Sequence, residues 1–412
     1  MSGLHRLILL MGSLMVLVQI HRASGGVLAN ELASAGFDPG QIANIIGMLF
    51  LSSALFQVPT GLLFDRVGPR LTVTALGGVA VLGIFLFAFA DGPAGLATGR
   101  FLIGAGHGGI IAAIYMLAFA WIEPRRVSTF CGALVAIAGG TGGVLATTPL
   151  VLSLEHLGRE LTFSVIGVAT LLVNVGVFLF VRDLPSEQVP TTRRSPESFV
   201  QSLRGLWAVA TDRKLLPVYA IGSCFALPFH SVGGLWAGPY LRDVHLLDKQ
   251  TVSYALFGMV LAFNLGNLGY GPMERLFNTR KWVIVAGGLV MIAILDLLAI
   301  SHGIGTLLVC ALLIAFSPFT AFYPTLVAHC RAFVPIERAG RAISCVNLAG
   351  LLLLFGVQRL SGWLIELTAD PQGKATAFGY QLVFALVGLI LAAALTLYLG
   401  ARDMRPDARG RG

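Results

Sequence analysis

Gly61-Leu62-Leu63-Phe64-Asp65-Arg66-Val67-Gly68-Pro69-Arg70 decides how this chain is read. A long apolar run lies on each side, at about 41–64 and about 71–91. An acid, two arginines and a Gly-Pro turn between two such runs cannot rest in hydrocarbon, where no water satisfies them. The stretch therefore reads as a tight connection at a membrane surface between two spanning helices.

Composition extends that reading to the whole chain. The 412 residues are 56% hydrophobic and 12% charged, with a mean hydropathy of +0.83. A soluble domain carries about 25% charged residues. The 50 glycines suit helices that approach closely in lipid. The expected fold is an all-α polytopic membrane protein of 12 transmembrane helices. The expected spans are about 7–30, 41–64, 71–91, 95–121, 128–150, 160–182, 215–240, 251–273, 281–300, 304–330, 340–366 and 376–400. His5 and Arg6 precede an apolar run, but no small-residue cleavage site follows before His21 and Arg22, so the run reads as span 1. Cys131, Cys224, Cys310, Cys330 and Cys345 lie in or beside apolar segments without metal-ligand spacing. No nucleotide loop or nucleophile–base motif is present, so neither an enzyme nor a cofactor or metal is expected.

Charge sets the expected orientation and organisation. With both termini in the cytoplasm, 21 of the 28 Lys and Arg fall on the inner side and 4 on the outer. The net charge of +8 is thus an anchoring charge, and no nucleic acid partner is expected. The expected division is 1–182 and 215–412 as two six-helix halves, with 183–214 as a cytoplasmic linker carrying Pro185, Pro190 and Pro196. Sliding the second half back by about 209 residues lays His230 on His21 and Glu274-Arg275 on Asp65-Arg66, the trace of a degenerate parallel repeat.

Gly61, Asp65, Arg66, Gly68 and Arg70 resemble the loop 2–3 signature of the major facilitator superfamily. Pro69 stands where that signature has a basic residue. The resemblance implies two six-helix bundles, secondary transport by alternating access, and a gating role for those five residues. It also implies that Asp65 latches the start of span 11 on the cytoplasmic face, with Arg125 and Arg126 as candidate partners. In the superfamily, spans 1, 4, 7 and 10 line the central cavity and spans 2, 5, 8 and 11 flank it. Span 5 carries Gly139-Gly140-Thr141-Gly142-Gly143 without the Gly-Pro pair of drug exporters.

Ionisable residues inside spans are costly, so each needs a role. Arg22, Arg100 and Arg359 fall in spans 1, 4 and 11, and His21, His107 and His230 in spans 1, 4 and 7. The bland roles are snorkelling for Arg and an interhelical hydrogen bond for His. The one acid deep in a span is Asp296, in peripheral span 9. Arginines without interior carboxylates make an anion receptor, because the guanidinium grips carboxylate or phosphate with two parallel bonds. Arg100 and His107 are seven apart and share a helix face, about 10 Å apart along the axis. Gly104 and Gly108 beside that face leave room for a ligand or a close helix, and Tyr115 would extend it. Span 7 holds Pro228, Gly233, Gly234, Gly238 and Pro239, which read either as a bend or as the tolerance of Gly and Pro in membrane helices, with Trp236 as a lid or an interface anchor.

His21-Arg22, Arg100 and His107 also resemble the organic anion:cation symporter branch, which often has an acid and Arg in span 1, and Arg then Glu seven residues on in span 4. Here both acids are His. The basic residues carry over, and proton coupling would fall to His107 and His21, a residue type that titrates near neutral pH. The expected substrate-binding set is Arg22, Arg100, Arg359, His230, Trp236 and Tyr115. The expected protein is a monomeric bacterial inner-membrane transporter in the lipid bilayer, taking up a small organic anion with protons. A larger anionic ligand such as an iron–siderophore chelate, an exporter, and a non-transporting sensor of the same fold stay open.

Overall fold

A computed structural model describes residues 3–184, 199–300, 303–334 and 336–405. Every regular element among them is helical. Nine of the helices are long and apolar enough to cross a membrane, and a tenth such span is the pair Pro39–Leu55 and Gln57–Phe64, bent by 43°. Pro59 sits just past the bend and cannot donate to the carbonyl four residues back, which accounts for it. Two expected spans, the fifth and the seventh, are not among these ten. The fifth is Pro124–Leu145, whose described apolar stretch is Phe130–Leu145. The seventh is broken into three pieces, described below.

By contacts the chain separates into two units, Met1–Ser24 with Met48–Leu203, and Gly25–Gly47 with Arg204–Gly412. Residues 25–47, the end of expected span 1 and the start of span 2, thus pack with the second unit. Helix Phe199–Ala210 lies inside the expected linker, and its Trp207 is exposed.

In the first unit, helix Gln57–Val67 runs through most of the decisive stretch, and Pro69–Phe89 follows at once. The connection is narrower than expected: the helix runs past 64 through Asp65, Arg66 and Val67, and Gly68 alone turns the chain, at φ 85°. Asp183, beyond the last helix of the unit, accepts from Arg70 N at 2.7 Å and holds the positive end of Pro69–Phe89. Arg70 Nε donates to Phe178 O at 2.9 Å. Pro93–His107 ends at Gly108-Gly109, and Ile110–Trp121 begins a new helix. Two consecutive glycines each cost about 1 kcal/mol in a helix interior, which is reason enough for the interruption. Met11, Leu14, Met15, Ile114 and Cys131 are among the core. Gly158, at φ 72°, divides Thr148–Phe180 into 148–157 and 159–180.

In the second unit, span 7 comprises Leu216–Gly222, a turn, a π-helix Pro228–Trp236, and Ala237–Asp243. Expected span 10 is interrupted too, with a 3-10 turn Ser317–Ala321 between Thr306–Phe316 and Tyr323–Arg331. Pro318 and Pro324 remove two backbone donors there. Segment 25–47 packs on span 7 through main chain: any Cβ at Gly25 or Gly26 would meet the carbonyl of Gly234 or Gly233. Arg242 Nη1 donates to Asn30 O at 3.1 Å, and Glu366 Oε1 accepts from Gly40 N at 2.8 Å. Asp403 accepts from Thr279 Oγ1 at 2.6 Å and Lys281 N at 3.2 Å, holding the start of Lys281–Ile300 as Asp183 holds that of Pro69–Phe89. The two units thus share a device that the degenerate repeat did not show in sequence.

Candidate functional site

The ionisable residues of spans 1 and 4 converge inside the first unit. His21 ends helix Gly3–Ala23, and Arg100 and His107 stand on Pro93–His107. His21 and Arg100 have no solvent exposure, and His107 has 3%. The rings of His21 and His107 lie 5.6 Å apart between centroids, tilted by 39°. Arg100 Nη1 donates to His21 O at 3.0 Å. Its guanidinium stands over the face of Phe87 at 5.9 Å. Phe163 closes the group, 6.2 Å from the His21 ring and edge-on to Phe87 at 4.9 Å. Arg22 is half-buried.

This cluster is polar, sealed and incompletely satisfied. Both ring nitrogens of His21, both of His107, and Nε and Nη2 of Arg100 have no hydrogen-bond partner among the described residues. A buried charge without a partner costs several kcal/mol, on the order of what an ion loses on leaving water. Nε and Nη2 form one edge of the guanidinium, the edge that meets both oxygens of a carboxylate side by side. The site therefore has the donors for a planar oxyanion. The glycines beside it receive helices: Gly104 lies against Leu49 and Ser52, and Gly106 against Leu76 and Ala80.

The other expected site residues fall elsewhere. Tyr115 lies beyond the Gly108-Gly109 interruption and is 38% exposed, so the span 4 face does not run on to it. His230, Trp236 and Arg359 belong to the second unit. His230 is half-buried on the π-helix, and its carbonyl accepts from Gln358 Nε2 at 3.2 Å. Trp236 is 2% exposed, donates from Nε1 to Ser361 Oγ at 2.7 Å and packs on Tyr380, which makes it a core residue of that unit instead of a lid or an interface anchor. Arg359 is exposed on helix Ile336–Leu367. Of the expected gating residues, Gly61 and Arg66 are exposed, and Gly68 and Arg70 form the turn tied to Asp183. The side chains of Asp65, Arg125 and Arg126 lie outside the described residues. Sequence reasoning missed Phe87, Phe163 and Asp183; nothing marks two of 26 phenylalanines, and Asp183 acts through a partner 113 residues away.

Apolar spans, interrupted helices and a buried basic cluster are the features of a polytopic secondary transporter. The sequence matches the family model of the Major Facilitator Superfamily over residues 10–350, and the chain belongs to that family. A "Putative tartrate transporter" of Agrobacterium vitis is 23% identical over 373 residues, covering 84% of this chain and 80% of its own length. The nitrate/nitrite transporter NrtP of Nostoc punctiforme is 27% identical over 174 residues, 39% of this chain and 34% of its own. Among solved structures, the nucleoside transporter NupG shares the fold with a TM-score of 0.74 at 14% identity, over 95% of this chain and 99% of that one. The chain is a transporter and not an enzyme.

Proposed function

We propose that this transporter carries a small organic anion, a carboxylate first of all, inward across the bacterial inner membrane together with protons. The observation that carries the reading is the bare Nε–Nη2 edge of Arg100 beside the unpartnered nitrogens of His21 and His107. Among the described residues no carboxylate pairs with Arg100, so an incoming anion would supply the charge and the acceptors the site lacks. Arg22, next to His21 in the chain, adds a second cation. Two relatives named for tartrate and for nitrate or nitrite, both small oxyanions, support the same substrate class. Protons would be carried by His107 and His21, whose rings lie 5.6 Å apart, His21 being the residue whose carbonyl receives Arg100. Both termini lie in the cytoplasm in this reading, on the asymmetry of Lys and Arg.

The test is uptake by the purified chain in proteoliposomes, offered labelled carboxylates, nitrate, a cation and a neutral nucleoside under an inward proton gradient. Carboxylate accumulation that the gradient raises is the expected result. Transport of the cation or the nucleoside with no anion taken up overturns the reading.

A further inference from the structure

Helix Phe199–Ala210 lies inside the expected linker and belongs to the second unit from Arg204 onward. One side of it packs. Val209 is buried, and its carbonyl accepts from the Tyr219 hydroxyl of span 7 at 3.2 Å. Gly205, four residues earlier and so on the same side, lies against the guanidinium of Arg341, which any Cβ there would strike. Residues 211–215 alone join the helix to Leu216–Gly222. Its C-terminal end is thus held beside the first turn of a span, at the edge of the apolar layer.

The other side is bare. Arg204, Trp207 and Ala208 fall within a stripe about 100° wide, and all three are exposed. Trp207 leaves 72% of its surface open, although an indole gains more than most side chains by leaving water. Leu216, at the start of span 7, is 50% exposed too. Arg213 and Lys214, in the join, are exposed as well. Three positive charges stand here against one acid, Asp212, whose carboxylate accepts from Lys214 N at 3.0 Å. An exposed indole among basic side chains at the end of a span suits one surface. Trp settles at the level of lipid headgroups, with its ring in the apolar edge and its N–H in water. Arg and Lys reach from that level to phosphate.

We propose that the exposed stripe of helix Phe199–Ala210 is a docking surface for the membrane itself: Trp207 lies among the headgroups of the cytoplasmic leaflet, and Arg204, Arg213 and Lys214 hold anionic phospholipid there. The linker is in this way pinned to the bilayer at its second-unit end. Each basic side chain near the surface strengthens the hold on anionic lipid about fivefold. The cytoplasmic side follows the orientation reading; the lipid contact stands apart from it and from the transported anion.

The experiment places the purified full chain in nanodiscs, which offer both membrane faces, so its outcome does not depend on orientation. The signal of Trp207 is the difference in fluorescence between wild type and Trp207→Phe. The quenchers are chain-brominated phosphatidylglycerol, chain-brominated phosphatidylcholine and aqueous acrylamide. Brominated phosphatidylglycerol should quench Trp207 more strongly than brominated phosphatidylcholine at the same mole fraction, and acrylamide should quench it weakly. Arg204→Gln, Arg213→Gln and Lys214→Gln combined should remove the preference between the two lipids, each lost charge lowering it by up to about fivefold. Size-exclusion elution reports folding of the variant, and the wild-type comparison decides even where the variant does not fold. Strong quenching by acrylamide with none from either lipid puts the indole in water and overturns the proposal. Quenching by none of the three means that protein covers Trp207, and overturns it as well. Equal quenching by the two lipids, or a preference that survives in the folded Gln variant, removes the anionic headgroup and the proposal with it.

Discussion

Arg100 on span 4 is held by the backbone of span 1: its Nη1 donates to the carbonyl of His21 at 3.0 Å, and the Nε–Nη2 edge is left bare. One nitrogen fixes the guanidinium, and the other two are presented as a fork. A Lys at this position keeps the charge and can keep one of those bonds, never both functions. Hydrogen bonds to a charged group contribute about 1.5–3 kcal/mol, so Arg100→Lys should lower anion uptake about tenfold or more. Arg22→Lys should lower it as well, with normal expression of both variants. Full transport by both Lys variants removes the fork.

His107 faces His21 and shares its helix with Arg100. His107→Gln keeps a polar side chain of similar reach and removes the titrating group. Gradient-driven accumulation should be lost, while counterflow at equal pH continues on the remaining arginines. Retained accumulation in His107→Gln, His21→Gln and His230→Gln would exclude histidine coupling.

Gly68 turns the chain at φ 85°, and a Cβ there would strike the Asp183 carboxylate. Gly68→Ala should therefore destabilise the first unit by more than about 1 kcal/mol. Asp183→Asn keeps the shape and loses the charge at the start of Pro69–Phe89, a cost of about 0.5–1 kcal/mol. Thermal unfolding in detergent should rank wild type above Asp183→Asn and that above Gly68→Ala. The reverse order would mean that the turn carries no strain.

Asp248 caps helix Lys249–Leu276, accepting from Gln250 N at 2.9 Å, Thr251 N at 3.0 Å and Thr251 Oγ1 at 2.6 Å. The Thr251 hydroxyl, then the backbone bonds, hold its carboxyl below the ordinary value of 3.8. A carboxyl lowered by folding adds stability at every pH above its unfolded value and loses it as pH falls through the folded one. Asp248→Ala should thus lower the melting temperature equally at pH 6 and pH 8. The difference from wild type should close only below about pH 4. A difference that changed between pH 6 and pH 8 would assign the effect to another group.

Much of this was legible in the sequence, because hydrocarbon allows few solutions. Long apolar runs marked most of the helices, and the breakers from Pro228 to Pro239 offered the break in span 7 as one of two readings. The shared face of Arg100 and His107 followed from their seven-residue spacing, but nothing in the sequence placed His21 beside them. What stayed hidden depends on partners far apart in sequence. Asp183 looks like any acid after a span until Arg70 N is placed against it. Tyr115 shared a face with His107 only on an unbroken helix, and Gly108-Gly109 breaks it. Trp236 could not be told from an interface anchor until Ser361 was found to receive its indole N–H. The residues between the expected spans 41–64 and 71–91 read as a connection because of their charges, yet helix Gln57–Val67 runs on through Asp65 and Arg66.

The close main-chain approach of Gly25 to Gly234 bears on how this protein could be cut in two. A polypeptide ending after Arg182 would carry residues 25–47 without the surface on which they pack, leaving glycine-lined backbone and the Asn30 carbonyl uncovered. The complementary fragment would lack the same strip, with Arg242 and Glu366 missing their backbone partners. The natural seam of the gene is therefore not the seam of the folded chain. Two fragments divided at the linker would need to be made together, each completing the other as it enters the bilayer.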